Sequence, residues 1–138
     1  MNTIGNYGLQ VTTSLSFEDT ISKATEFLKE EGFGILTEID VKKTLKEKID
    51  IDFKPFRILG ACNPSFAHRS ISAVPEISVF LPCNVVVWDE GTHRVVTMMD
   101  PAIMSSIVDN DQLKVVAAEV STKLHKVIHR IEEFKPNA

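Results

Sequence analysis

Apolar and polar positions alternate at the start of the chain. Tyr7, Leu9 and Val11 are interleaved with Gly8, Gln10 and Thr12, the period of a strand with one buried face. The period then lengthens. Phe17, Ile21, Ala24 and Leu28 fall on one helical face. Ser16 is suited to cap that helix, Asp19 sets a carboxylate in its first turn, and Gly32 suits a left-handed stop. A second strand is predicted over 33–39. Asp40 can cap a short helix in which Val41, Leu45 and Ile49 share a face, and Pro55 ends anything helical before it. A third strand follows over 56–62. Asn63-Pro64 reads as an N-cap and a first-turn proline, opening a short helix with Ala67, Ile71 and Val74 on one face. Two β-rich runs, 83–88 and 93–99, flank Asp89-Glu90-Gly91-Thr92, a hairpin turn in which Gly91 can take positive φ. The longest helix is predicted over 110–133, with a stripe from Leu113 through Val116, Val120, Leu124 and Val127 to Ile131. Asp109 and Gln112 stand at capping-box spacing before it.

The order is therefore β-α-β-(short α)-β-(short α)-β-β-α. The simplest α+β architecture for it is one domain over 1–138, with a mostly antiparallel sheet and the two longer helices packed on one face. A chain of 138 residues with 43% hydrophobic content suits a single core and needs no disulfide or metal merely to fold. Net charge is −4, which leaves no basic footprint for nucleic acid. Lys42-Lys43-Thr44-Leu45-Lys46-Glu47-Lys48 reads as a solvated helix face. No apolar run approaches the roughly 20 residues of a membrane span, and the N-terminus lacks the pattern of a signal peptide. A cytoplasmic location is expected, where Cys62 and Cys83 would be free thiols.

Four blocks of sequence carry a resemblance. Ile58-Leu59-Gly60-Ala61-Cys62-Asn63-Pro64 with Ala67-His68, Leu81-Pro82-Cys83-Asn84-Val85-Val86-Val87, the upstream stretch from Phe33 to Lys48, and Met99-Asp100-Pro101 together resemble the Domain of Unknown Function 302 family. The resemblance runs from about 7 to 131. It departs near Ser78, where family members often carry glycine. It implies a compact α+β domain, often seen as a homodimer, and no established activity, cofactor or catalytic residue.

The residues that could carry chemistry lie where β-rich runs end and begin. Cys62-Asn63 closes one strand and Cys83-Asn84 opens another. With little chain between them, the two thiols are expected on neighbouring strands at one end of the sheet. Asn63 and Asn84 would flank a concave site, with His68 the nearest further group. Two Cys and one His would leave an open position on a tetrahedral metal, but no Cys-x-x-Cys is present. Inert core thiols are the plainer reading. A helix started by Pro64 offers free N–H groups to a small anion, against plain turn punctuation. His125 and His129 share a helix face without zinc-protease order and read as exposed. Glu38 and Asp40 can face one side of a strand end, either as paired carboxylates or as a solvated side chain and a helix cap. No nucleophile elbow appears. The run 77–81, hemmed by Pro75 and Pro82, is too short for a central strand and is expected to cover an edge or meet a partner.

Two functions remain open at this level. One is a homodimeric small-ligand-binding or regulatory module. The other is a thiol-dependent enzyme or metal/redox sensor centred on Cys62 and Cys83. Neither cofactor nor metal is specified by the sequence.

Overall fold

The computed structural model describes residues 1–136. Six strands form one sheet: β1 (Asn2–Ile4), β2 (Gly8–Thr13), β3 (Gly34–Asp40), β4 (Phe56–Cys62), β5 (Cys83–Asp89) and β6 (Arg94–Met99). Their spatial order is β1-β2-β6-β5-β4-β3, and every neighbouring pair is antiparallel. The α+β architecture is the expected one, with a further edge strand, β1, whose three residues are too few to show a period. The two strands that flank the first long helix, β2 and β3, are not neighbours; β6, β5 and β4 lie between them.

Five α-helices complete the chain: α1 (Phe17–Glu30), α2 (Val41–Ile49), α3 (Pro64–Ala73), α4 (Met104–Ile107) and α5 (Asp111–Glu133). Short 3₁₀ turns at Pro75–Phe80 and Pro101–Ile103 join them to the sheet. The long pair, α1 and α5, seals one face. Ile21, Ala24 and Leu28 of α1 and Val116, Val120, Leu124, Val127 and Ile131 of α5 bury against Leu9, Val11, Leu59, Ala61, Val85, Val87, Val96 and Met98 of the strands. Tyr7, placed by alternation with Leu9 and Val11, instead lies outside β2 and is exposed.

Local chemistry explains most boundaries. Ser16 Oγ accepts from the Asp19 N–H, and Asp40 Oδ1 accepts from Lys43. Gly32 adopts φ +88 and Gly91 φ +91. Two further expectations need correction. The cap of α5 is Asn110, whose Oδ1 accepts from Leu113; Asp109 instead pairs with Lys114. Ile71 of α3 is exposed, because that helix turns Phe66, Ala67 and Ser70 inward. Helix α2 buries no residue, so its face of Val41, Leu45 and Ile49 rides on the edge of the sheet. Glu38 and Asp40 do share one side, where Arg57 gathers them with Glu18 of α1. No described helix is long and apolar enough to cross a membrane.

Candidate functional site

Strand β4 ends at Cys62 because Asn63 turns the chain into α3. Its Oδ1 accepts from the Phe66 N–H at 3.3 Å, and Pro64 occupies the first turn, where a missing N–H costs nothing. Strand β5 begins at Cys83, after the cis Leu81–Pro82 peptide. The two strands are antiparallel neighbours with Ala61 opposite Cys83 and Gly60 opposite Asn84. The end of one strand therefore meets the start of the next at a single end of the sheet.

A cavity of about 40 Å³ opens there. Cys62, Asn63 and Cys83 line it together with Phe33 and Ala61. Helix α3 contributes Phe66, Ala67 and Ser70, α5 contributes Leu113, Val116, Ala117 and Val120, and Leu81, Pro82, Pro101 and Met104 complete the wall. The Ser70 hydroxyl donates to the Phe66 carbonyl at 2.8 Å, so its proton is engaged and only its oxygen can still accept. A small second cluster of Ile77, Met104 and Leu113 packs beside Leu81 and holds the 3₁₀ turn Pro75–Phe80 in place. Only Ile77 of that turn is buried; Val79 and Phe80 are exposed.

Burial governs the thiols. It pushes the Cys83 thiol up to about 11, and the neighbouring Cys62 adds a smaller push in the same direction. Cys62 is raised by burial as well. Both sulfurs are protonated at neutral pH, and a thiol in that state is a poor nucleophile.

The five candidate residues fall in three places. Cys62, Asn63 and Cys83 meet at the cavity. His68 lies in a groove between α3 and α5 with Arg69, Ser72 and Gln112. Asn84, next to Cys83 in an alternating strand, lines a groove on the far face of the sheet with Thr37, Phe80 and Met99. Among the described residues, no three His, Cys, Asp or Glu side chains are grouped as a metal ion would need.

One polar cluster escaped the sequence reading. Ser121 Oγ donates to Asp100 Oδ1 at 2.7 Å, and His125 places Nδ1 2.8 Å from the Ser121 carbonyl and Nε2 4.0 Å from Asp100 Oδ2. Asp100 also accepts from the Ala102 N–H and donates its own N–H to the Tyr7 carbonyl. It ties α5 to the turn that carries Pro101 and Met104 into the cavity wall. The signal available in sequence was Asp100-Pro101, a cap followed by a first-turn proline. His125 is half-buried here, not exposed.

Comparison with known proteins places this geometry. No curated protein matches the chain. A crystal structure described as that of an uncharacterized conserved protein DUF302 from Bacillus stearothermophilus is similar to it at 32% identity, covering 92% of this chain and 99% of that one, with a TM-score of 0.83. The family model described as domain of unknown function DUF302 matches residues 9–131. With its fold shared along almost the whole of both molecules and the family pattern running through every element that builds the cavity, this chain belongs to the DUF302 family.

Proposed function

We propose that the chain is a cytoplasmic, homodimeric module that binds a small apolar molecule in the cavity at the Cys62–Cys83 end of the sheet. The observation that carries this reading is the cavity's lining. A water needs about 10–15 Å³ of such space and two to four polar partners. The volume of about 40 Å³ therefore has room for a few waters, but the walls offer them little beyond the Asn63 side chain, the Ser70 oxygen and scattered backbone groups. An apolar occupant of few atoms suits it better. In this reading Cys62 and Cys83 are free, protonated thiols that serve as soft, weakly polar wall. Their raised pKa values and the separate position of His68 weigh against the thiol-enzyme or metal-sensor alternative.

Self-association is supported by the other face of the sheet. There Ile39, Ile58 and Val86 stand side by side across β3, β4 and β5, and Phe56 stacks on Trp88 with ring centroids 5.5 Å apart. Ile39 is exposed and the other four are half-buried; Ile51 and Phe53, exposed as well, lie in the connection leading to β4. The β3 edge is a poorer place to pair, because its register shifts between Ile35 and Thr37, and bulges discourage edge-to-edge contact. A second copy laid face to face is the arrangement that fits.

The cavity is tested with xenon as an apolar probe, read by NMR of methyl groups. Pressurised xenon should shift the Met104, Leu113 and Ala117 methyls saturably, and Ala117→Met, which fills the space, should abolish the shifts. Methyl resonances that ignore xenon in the folded wild type would overturn the reading.

A further inference from the structure

The far face of the sheet carries a site of its own. Across its cavity end, Thr37 stands beside Gly60 and Gly60 beside Asn84. A groove of about 330 Å³ opens over this row, walled by Phe80, Leu81, Pro82 and Met99. Gly60 is buried beneath the Thr37 and Pro82 side chains that border it. A Cβ there would lie 2.1 Å from Thr37 Oγ1 and 2.8 Å from Pro82 Cγ, both impossible approaches. Its φ is not positive, so the glycine is needed for space and not for backbone freedom: it lets the hydroxyl and the proline ring close over bare backbone.

The lining decides the chemistry of an occupant. No charged side chain borders the groove, so an ion would shed hydration without gaining a counter-charge. Asn84 is exposed and its carboxamide bonds to no other described residue, leaving a donor and an acceptor side by side. The Phe80 ring, Pro82 and the polarizable Met99 thioether supply an apolar wall for a flat partner. The volume falls at the lower end of the roughly 300–1,000 Å³ of small-molecule sites, the scale of a single ring.

We propose that this groove is a second binding site, for a small, neutral, planar molecule that presents a carboxamide-type edge to Asn84. It goes beyond the apolar cavity, and either site can fail without the other. The two share only the Leu81–Pro82 wall, and the row of Ile39, Ile58 and Val86 that supports self-association is the next one along the same strands, so the groove opens at the rim of that face.

The probe is nicotinamide, a flat ring bearing a carboxamide, with nicotinate as its charged counterpart, titrated into the full chain and followed by NMR. Nicotinamide should shift the Asn84 side-chain NH₂, Thr37 and the Met99 methyl saturably in the millimolar range. Nicotinate should bind about tenfold more weakly or worse, and Asn84→Asp should weaken nicotinamide by a similar factor. Asn84 is exposed, so that variant keeps its fold, which an unchanged xenon response or an unchanged amide spectrum away from the groove would confirm. Phe80→Ala, at a residue 39% exposed, should weaken nicotinamide by removing the wall. Equal shifts from nicotinamide and nicotinate, affinity within twofold after Asn84→Asp, or no saturable shift at all would each overturn the proposal.

Discussion

On the helix side of β4, Leu59 and Ala61 are sealed beneath α1 and α5 at 1% exposure. One residue away on the same strand, Ile58 and Gly60 face outward. The two faces are written by the same strands, yet they obey different rules. The helix side is apolar through its centre from β2 to β4, with Arg57, Asp89 and Arg94 at one end. The far face divides. Over β2 it is polar, with Gln10 donating to Thr97 of β6 at 2.9 Å, as water requires of an open antiparallel sheet, while Val95 and Met99 carry apolar surface onto β6. Over β3, β4 and β5 it holds Ile39, Ile58, Val86, Phe56 and Trp88. Burial explains the sealed centre of the first face. Solubility of a lone subunit does not explain the second half of the other, and that asymmetry motivates a partner there and a ligand groove beside it.

The largest expected effect lies on the sealed face. Leu124 is fully buried between α5 and the sheet, and Leu124→Ala should cost about 2–5 kcal/mol of stability, the loss of its transfer energy plus a cavity. Urea denaturation measures it. A cost below half of that range would mean that α5 closes over the gap and that the two faces differ less in packing than their burial indicates.

The second effect tests the sealed face where it meets the cavity. The folded-state pKa of Cys83 is raised, so the folded state holds its proton longer than the unfolded chain does. That contribution is fully present below pH 9, the usual thiol value, and is lost as pH rises towards 11. It amounts to roughly 2–3 kcal/mol at most, and Cys62 acts in the same direction. Wild-type stability should fall more steeply between pH 9 and 11 than that of Cys83→Ala. Parallel curves would show that Cys83 is hydrated.

A smaller loss is expected at Asn63, where the cap of α3 borders the cavity. Asn63→Ala removes the acceptor of the Phe66 N–H and should cost about 1 kcal/mol. Because Phe66 and Ala67 line the cavity, it should also weaken the xenon response. A loss of about 1 kcal/mol with an intact xenon response would separate the cap from the site.

Legibility in the sequence followed the range of each interaction. Ser16, Asp40 and Asn63 announce their helices because a cap is settled within three residues. Gly32 and Gly91 mark turns because φ is a local property. The stripe of α5 is long enough to show its period. Asn110 and Asp109 can both cap, and only the folded turn decides which side chain reaches Leu113. A helix of ten residues permits two faces, and the cavity, a tertiary feature, selects the one with Phe66 and Ser70 over the one with Ile71. The approach of β4 to β5 beside Cys62 and Cys83 was readable from chain connectivity. Alternation alone sends Asn84 to the face opposite Cys83. The positions of His68 and of the Asp100–Ser121 bond depend on how α5 lies across the sheet, which no local pattern encodes.

The smallest effect on the subunit's own stability is expected on the far face, and there it is the most telling. Ile58 is only half-buried and lies between Ile39 and Val86. Ile58→Thr keeps a β-branched side chain, so the strand should tolerate it at under about 1 kcal/mol, well below the cost of emptying a sealed position. If the face meets a second copy, the same change places a hydroxyl in the centre of an apolar contact, and by two-fold symmetry it does so twice. Two buried hydroxyls without partners should cost at least about 1–3 kcal/mol each, shifting the dimer constant by tenfold or more. Sedimentation of wild type and variant at matched concentrations reads this directly: the wild type should be dimeric at micromolar concentration and Ile58→Thr should dissociate. A wild type that sediments as a monomer at tens of micromolar, or a variant that associates as tightly as the wild type, would show that Ile39, Ile58 and Val86 face water after all. The contrast between the two faces would then be one of packing alone, with no partner behind it.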